Sequence, residues 1–376
     1  MTLMLAQYQF LPPVEMGETV DKWVDAMEYE GMQLHHDRNH ALSPGRGQGV
    51  ADVPSLKIIG DIDPSDISQG GVGDCWMLSG ISSLAEFDGA IARLFRKTPD
   101  LHTMPRATPN VYIVTLWDLP TWTEVDVVVD ERLASRADGG GLLGVSVSED
   151  GELWACYLEK ALCVHCGGWD KINGGQCTHA WSLLTGCKEQ YTIRRNREGK
   201  YECFGAFNPN ENRWETLANS PHDGFQGLWP MCWPEAGSGG QRDLGLQLTE
   251  EELFERMCCW DDQNYVIGSG TKAGSDTKTT NGIVDGHAYS VLECLNDVAG
   301  TEVDLIKVRN PWGKGEIESG KWDDDGPGWD EFPQVKAELN PVKKDDGIFW
   351  LSKSEFFQYC PTIYLCASDM TAFLQK

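Results

Sequence analysis

Apolar residues along this chain recur with two periods, and the helical period dominates the first half. Met77, Leu78, Ile81, Leu84 and Ala85 follow a glycine-rich turn at helical spacing and predict a helix opening at about Cys75. Leu153, Trp154, Tyr157, Leu158, Ala161 and Leu162 predict a second helix, from Glu152 to about Val164, whose role is core packing. The runs from Val111 to Trp117 and from Glu124 to Asp130 read as strands. After about residue 187 the pattern becomes strand-like: Tyr191 to Arg194, Asn264 to Ile267, His287 to Leu295, Val303 to Arg309, Phe349 to Leu351 and Thr362 to Cys366. A helix carrying Leu248, Leu253 and Met257 interrupts these strands. The expected fold class is α+β. Three parts are expected: a partly ordered extension over 1–55 with a short amphipathic stretch from Val20 to Met32, a helical subdomain over 56–187, and a β-rich subdomain over 188–376. No solenoid-period repeat is visible.

Composition narrows the function classes. The formal charge of −27, from 58 acidic against 31 basic residues, argues against nucleic acid or an anionic membrane as a main partner. No run reaches the roughly 18–20 apolar residues of a membrane span, and the start, Met1 to Gln7, does not read as a secretory signal. The 13 cysteines show no secreted disulfide framework and read as reduced thiols, so the expected location is cytoplasmic.

Three segments carry candidate chemistry. In Gln69-Gly70-Gly71-Val72-Gly73-Asp74-Cys75-Trp76, Asp74 is a suitable N-cap, which places Cys75 in the first helical turn. There the helix dipole favours a thiolate, and the Gln69 amide is placed to donate to an oxyanion. The plain alternative is a buried structural cysteine. His287 opens an apolar run in Asp285-Gly286-His287-Ala288-Tyr289-Ser290-Val291, and Asn310 ends another in Arg309-Asn310-Pro311-Trp312-Gly313. Taken singly, His287 is as well read as a core histidine and Asn310 as a turn residue before proline. Together with Cys75 they form the set that papain-type chemistry needs: a thiol, a base to hold its proton, and an amide oxygen to orient the ring. His287 and Asn310 are expected on neighbouring strands of one sheet.

These segments, with Val127 to Leu133, Leu153-Trp154 through Leu158-Glu159-Lys160-Ala161, and Asp346-Gly347-Ile348-Phe349-Trp350, resemble the calpain family from about Ile59 to about Ala367. Calpains are calcium-dependent cysteine proteases. The resemblance implies a papain-like fold, with a helical lobe bearing the cysteine, a β-rich lobe bearing histidine and asparagine, and a cleft between them. It makes Cys75 the nucleophile, His287 the base and acid, Asn310 the orienting residue and Gln69 an oxyanion donor. Trp312 matches a tryptophan that wedges between the halves of the site without calcium. Gly286 matches a backbone contact to substrate. The implied activity is limited endoproteolysis, with protein or peptide substrates and no organic cofactor. A non-catalytic calpain-like scaffold is the alternative, and other papain-like activities lack the Asn310-Pro311-Trp312-Gly313 context.

The resemblance also implies Ca2+ at two sites. The first takes the carbonyls of Ile59 and Asp61 with the carboxylates of Asp66 and Asp170; Asp170 stands where the family has glutamate. The second, expected to be weaker, takes Glu316, Asp324 and Asp346, with one extra residue before Gly320-Lys321-Trp322 and Ile348 replacing the last carboxylate. The family's hinge Thr-Gly-Gly is Thr185-Gly186-Cys187 here, so Cys187 is expected to narrow the cleft or limit hinge freedom. Gly268 to Gly282 is expected to be a mobile loop over the cleft. Cys163, His165, Cys166, Cys177 and His179 match no common zinc spacing, and His35, His36 and His40 read as solvated. The calcium-binding and lipid-binding modules of longer calpains are not expected in this sequence, and nothing in it predicts a regulatory subunit.

Overall fold

The computed structural model describes residues 58–99, 101, 111–119, 121–130, 132–134, 142–149, 151–205, 207–208, 213–214 and 242–374. For 22–25, 28–30, 34–36, 207–208 and 213–214, and for residues 111, 130, 132, 170 and 242, it describes the backbone alone. The expected extension therefore lies outside the described residues, apart from three short strands. One of these, Leu34–His36, pairs antiparallel with Arg132–Ala134.

Helix α1 spans Cys75–Ala85, followed by the antiparallel hairpin of β1 (Val111–Asp118) and β2 (Thr123–Asp130). Helices α2 (Trp154–Cys166) and α3 (Cys177–Thr185) complete the first half. Every residue of α2 and α3 is buried. Helix α3, which the sequence pattern did not reveal, is a short segment whose polar Thr178, His179, Ser182 and Thr185 are buried along with its apolar residues.

The remaining chain builds strands β3 (Gln190–Arg195), β4 (Tyr201–Gly205), β5 (Arg242–Leu248), β6 (Val266–Gly270), β7 (Ala288–Leu295), β8 (Leu305–Arg309), β9 (Ile348–Ser352) and β10 (Thr362–Cys366). They form one eight-stranded sheet in the order β5-β4-β3-β10-β6-β7-β8-β9, antiparallel at every pairing. The mixed α+β class expected from the sequence is what the molecule shows. Helices α4 (Glu250–Asp261) and α5 (Lys353–Tyr359) pack on the sheet.

Strand alternation divides the apolar residues of β6 and β10 between two cores. Val266 and Cys366 face the core built by α1, α2 and α3. Their chain neighbours Ile267 and Leu365 face the opposite core, with Leu253 and Phe254 of α4 and Phe356 and Phe357 of α5. Burying each of these leucine and phenylalanine side chains contributes about 2 kcal/mol. Leu248 ends β5 rather than joining the helix. The helix begins two residues later, at Glu250, because Thr249 and Glu252 form a capping box whose side chains satisfy each other's backbone N–H.

Gly268 to Gly270 likewise belongs to β6, not to a loop. A Cβ at Gly268 would lie 3.1 Å from Cys177 Sγ and 3.3 Å from the Trp181 ring, so the glycine lets α3 sit close against the sheet. The loop proper starts at Thr271 and contains the small pairing of Thr279–Thr280 with Ile283–Val284. No helix among the described residues is long and apolar enough to cross a membrane.

Candidate active site

Helix α1 opens at Cys75 with Asp74 in the N-cap position, as the sequence predicts. Asp74 does not cap with its side chain, however. Its carboxyl is fully buried and hydrogen-bonds the carboxyl of Glu159 on α2. Glu159 in turn accepts from Val145 N–H at 3.1 and 2.9 Å, and a Cβ at Gly144 would overlap it at 1.9 Å. Both carboxyls are held far above the usual carboxylate range, with burial the leading cause for each. Glu159 is a residue that sequence reasoning used only as a landmark. Its signal was a charge inside the apolar face of α2.

This pair has a consequence for stability. Above about pH 4 the unfolded chain loses these protons while the folded protein keeps them, so folding stability falls as pH rises. Asp74→Asn is expected to flatten that decline by at least about 1 kcal/mol between pH 4 and pH 7, read by denaturant melts at several pH values. An unchanged slope would remove the buried pair from the account.

The glycine turn before Cys75 leaves no room for side chains. A Cβ at Gly70 would meet the Gly144 carbonyl oxygen at 2.0 Å, and one at Gly73 would meet Asn173 Oδ1 at 2.3 Å. Gln69 donates its backbone N–H to the Pro311 carbonyl at 2.9 Å, tying this turn to the Asn-Pro-Trp-Gly turn. Its Nε2 donates to the Val72 carbonyl at 2.8 Å, and Asp74 Oδ1 lies 3.5 Å away. Trp76 anchors the helix start by donating from Nε1 to the Ile172 carbonyl at 2.9 Å.

His287 immediately precedes β7, and Asn310 immediately follows β8, the adjacent strand. The two strands register Ser290 opposite Arg309, which brings the imidazole and the amide together. Asn310 Oδ1 accepts from His287 Nε2 at 2.9 Å and from Trp312 N–H at 3.1 Å, while Nδ2 donates to the Lys314 and Gly315 carbonyls. Those partners fix the amide orientation, so Nε2 carries the proton and Nδ1 is the basic nitrogen. Nδ1 is buried with no hydrogen-bond partner among the described residues. The Trp312 ring lies 5.1 Å from the imidazole and Tyr289 meets it edge-on at 5.3 Å. Thr271 clamps the backbone: its Oγ1 accepts from His287 N–H at 2.9 Å, and its N–H donates to the His287 carbonyl at 2.9 Å. Nothing in the residue pattern marks Thr271 in advance.

Helix α1 lies against β7, where Ser290 Oγ donates to the Ser79 carbonyl at 2.9 Å. The Cys75 sulfur, half-buried, accepts from the backbone N–H groups of Ala288 and Trp76. Burial pushes the thiol up to about 12, with those two N–H groups opposing it and Asp74 and Asp276 adding to it. Burial also lowers His287 to about 4, against the bond to Asn310. The helix start was expected to favour a thiolate. In this arrangement desolvation outweighs the dipole, and both partners are neutral.

Gly286 has φ +60, and a Cβ there would meet the Gly274 carbonyl at 2.5 Å. Gly186 caps α3 at φ +68 beneath the Trp117 ring, 2.3 Å from where its Cβ would stand.

The first proposed cation set is engaged with protein donors. Asp66 Oδ2 accepts from Asp63 N–H at 3.0 Å and Trp154 Nε1 at 3.1 Å, and Asp61 donates its N–H to Glu152 Oε1 at 2.7 Å. Ile59 is buried on the same loop. The Asp170 side chain lies outside the described residues. In the second set, Glu316 is pushed up to about 8 by burial and then by Asp324, Asp346, Asp345 and Asp323. These carboxylates are close enough to repel one another. Asp324 Oδ2 accepts from Lys344 N–H at 2.8 Å and Asp346 Oδ1 from Ile348 N–H at 2.9 Å. Among the described residues no group of three His, Cys, Asp or Glu side chains is already gathered as a metal centre. Buried Arg309, also missed by sequence reasoning, donates to the Ile67 carbonyl and feels Asp346, Asp63 and Asp66 together. Of the cysteine and histidine residues tested against zinc, His165 contacts the Trp117 carbonyl at 2.9 Å and His179 packs edge-on to Trp76.

The sequence profile of the calpain family cysteine proteases matches residues 26–367. The chain is 28% identical over 344 residues to the calpain-2 catalytic subunit of Mus musculus, covering 91% of this chain and 41% of that protein. It is 28% identical over 345 residues to calpain-12 of Mus musculus, covering 91% and 39%. A solved structure of pepw from Lactobacillus rhamnosis aligns over 89% of this chain and 84% of its own, at 12% identity and a TM-score of 0.26, too low to carry an argument.

Proposed function

This chain belongs to the calpain family of cysteine proteases, and from that premise we propose that it is a calcium-dependent cysteine endopeptidase acting through Cys75, His287 and Asn310. The observation that carries the reading is the His287 Nε2 to Asn310 Oδ1 bond of 2.9 Å, which leaves Nδ1 unpaired on the residue that directly precedes Ala288, whose N–H acts on Cys75. In the proposed reaction Cys75 gives its proton to His287 Nδ1 and its sulfur attacks the peptide carbonyl. The Gln69 amide, rotated from Val72, and the Cys75 N–H hold the oxyanion. His287 then protonates the leaving amine, and water, deprotonated by the same ring, hydrolyses the thioester. Asn310 holds the ring, and Trp312 shields their bond from water.

The helices up to 187 and the sheet from 188 are proposed as the two lobes of a papain-like cleft. The neutral Cys75–His287 pair is the resting state of that cleft, and charging the pair requires closer approach of sulfur and imidazole. Glu316, Asp324 and Asp346 would hold Ca2+, being the hard oxygen donors that this cation prefers. Bound there, the cation supplies positive charge that relieves carboxylate repulsion beside the Asn310 turn. At the first site Asp66, with the Ile59 and Asp61 carbonyls and Asp170, would contribute only after Asp66 gives up its present donors.

The chain spans about 40% of the calpain-2 and calpain-12 sequences it matches, so its substrates are proposed only as proteins or peptides, its location as cytoplasmic. Casein digestion should proceed with calcium and stop with a chelator. Glu316→Gln should raise the free calcium needed for half-maximal cleavage about tenfold, with little change at saturation. Cleavage unaffected by chelation would sink the calcium part of the reading and leave the protease part standing. A scaffold reading draws on the high proton affinity of the Cys75 thiol; it requires no cleavage under either condition.

A further inference from the structure

Cys187 and Cys366 stand together where the chain passes from α3 into the sheet. Cys187 follows the Gly186 cap of α3, and Cys366 ends β10. Strand pairing places Cys366 opposite Gln190, and the Glu189 carbonyl accepts from Ala367 N–H at 2.8 Å. Gln190 Nε2 bridges the two cysteines, 3.2 Å from Cys366 Sγ and 3.3 Å from the Cys187 carbonyl oxygen. The Cys366 and Cys187 side chains interact directly, and the Cys187 sulfur lies 3.9 Å from the Glu189 carbonyl, the same oxygen that takes the Ala367 N–H. Cys366 is fully buried, whereas Cys187 is half-buried and reachable from solvent. The donors around Cys187 lower its thiol below the ordinary range, against burial and the Glu189 carboxylate, while Cys366 is driven up. A solvent-accessible sulfur with a second, protected thiol beside it is the arrangement of a peroxide-sensing pair.

We propose that Cys187 and Cys366 form a reversible disulfide on exposure to hydrogen peroxide, an oxidation site separate from the Cys75–His287–Asn310 centre. The Cys187 thiolate attacks one peroxide oxygen, the O–O bond breaks, and hydroxide leaves to be protonated to water, giving a sulfenic acid. The Cys366 sulfur, losing its proton, attacks the Cys187 sulfur and expels the sulfenic oxygen as a second water. Two thiols are oxidised and one peroxide is reduced to two waters. A dithiol returns both cysteines to thiols. The bridge ties the segment leading out of α3 to the end of the sheet strand that flanks β3.

The test is a non-reducing peptide map of the full chain after hydrogen peroxide and alkylation of the remaining thiols. The peptide bearing Cys187 should be joined to the one bearing Cys366 with loss of two hydrogens, and dithiothreitol should separate them. Cys187 should lose its free thiol about tenfold faster than exposed Cys259. In Cys366→Ser, Cys187 should instead be trapped as a sulfenic acid by dimedone. Cys187 reaching sulfinic acid while Cys366 stays alkylatable in the unmodified sequence would overturn the proposal. So would oxidation of Cys259 or Cys75 to completion with no 187–366 cross-link.

Discussion

Cys75→Ala is expected to lower kcat/KM for a peptide substrate by about 10^4-fold or more while leaving the melting temperature nearly unchanged. The expectation rests on what the sulfur touches. It is half-buried and held by the Ala288 and Trp76 N–H groups, so removing it deletes the proposed nucleophile with little lost packing. Helix α1 keeps its other anchors, the Trp76 bond to Ile172 and the Ser79–Ser290 contacts. Cys75→Ser should be nearly as inactive, because an alcohol of higher pKa beside a base lowered to about 4 gains little nucleophile. Calcium-stimulated cleavage surviving in either variant would move the chemistry elsewhere.

The second large effect is expected at His287 and Asn310, and the two should differ. His287→Ala removes the imidazole proposed to act on Cys75 and should cost about as much as losing the sulfur. Asn310→Ala keeps nucleophile and base but frees the ring, and should cost about 10^2-fold in kcat with a smaller change in KM. Asn310 also holds its own turn through the Lys314 and Gly315 carbonyls, so this variant should melt earlier by about 1–2 kcal/mol. Equal losses for the two variants, at unchanged stability, would contradict an orienting role for the amide.

Much of this arrangement could be read from residue order, for identifiable reasons. The turn before Cys75 was legible because three glycines and Asp74 each meet a local requirement. His287 and Asn310 were legible because each stands at the edge of an alternating run, and the strands do lie side by side. Helix α3 was missed because Cys177 to Thr185 is short and buries Thr178, His179, Ser182 and Thr185, polar residues that in a sequence read as exposed. The proton affinity of Cys75 was misjudged for a related reason. The helix start is a local feature, but desolvation depends on the strand β7 backbone packed over the sulfur, which sequence spacing does not report. Glu159 and Arg309 were missed likewise: each matters through partners far away in the chain. At the carboxylates the sequence identified oxygen donors, but could not show that Asp66 is already taken by Trp154 and Asp63.

The proposed catalysis needs a sulfur at the head of α1 that can be brought to act as a nucleophile beside His287. Covalent labelling with a peptidyl epoxide, mapped by mass spectrometry across all 13 cysteines with and without calcium, tests that need most directly. The predicted result is modification of Cys75, at least about tenfold faster with calcium and abolished by His287→Ala. Labelling that falls on exposed Cys259 instead, or a Cys75 that stays unmodified at saturating calcium, would contradict it.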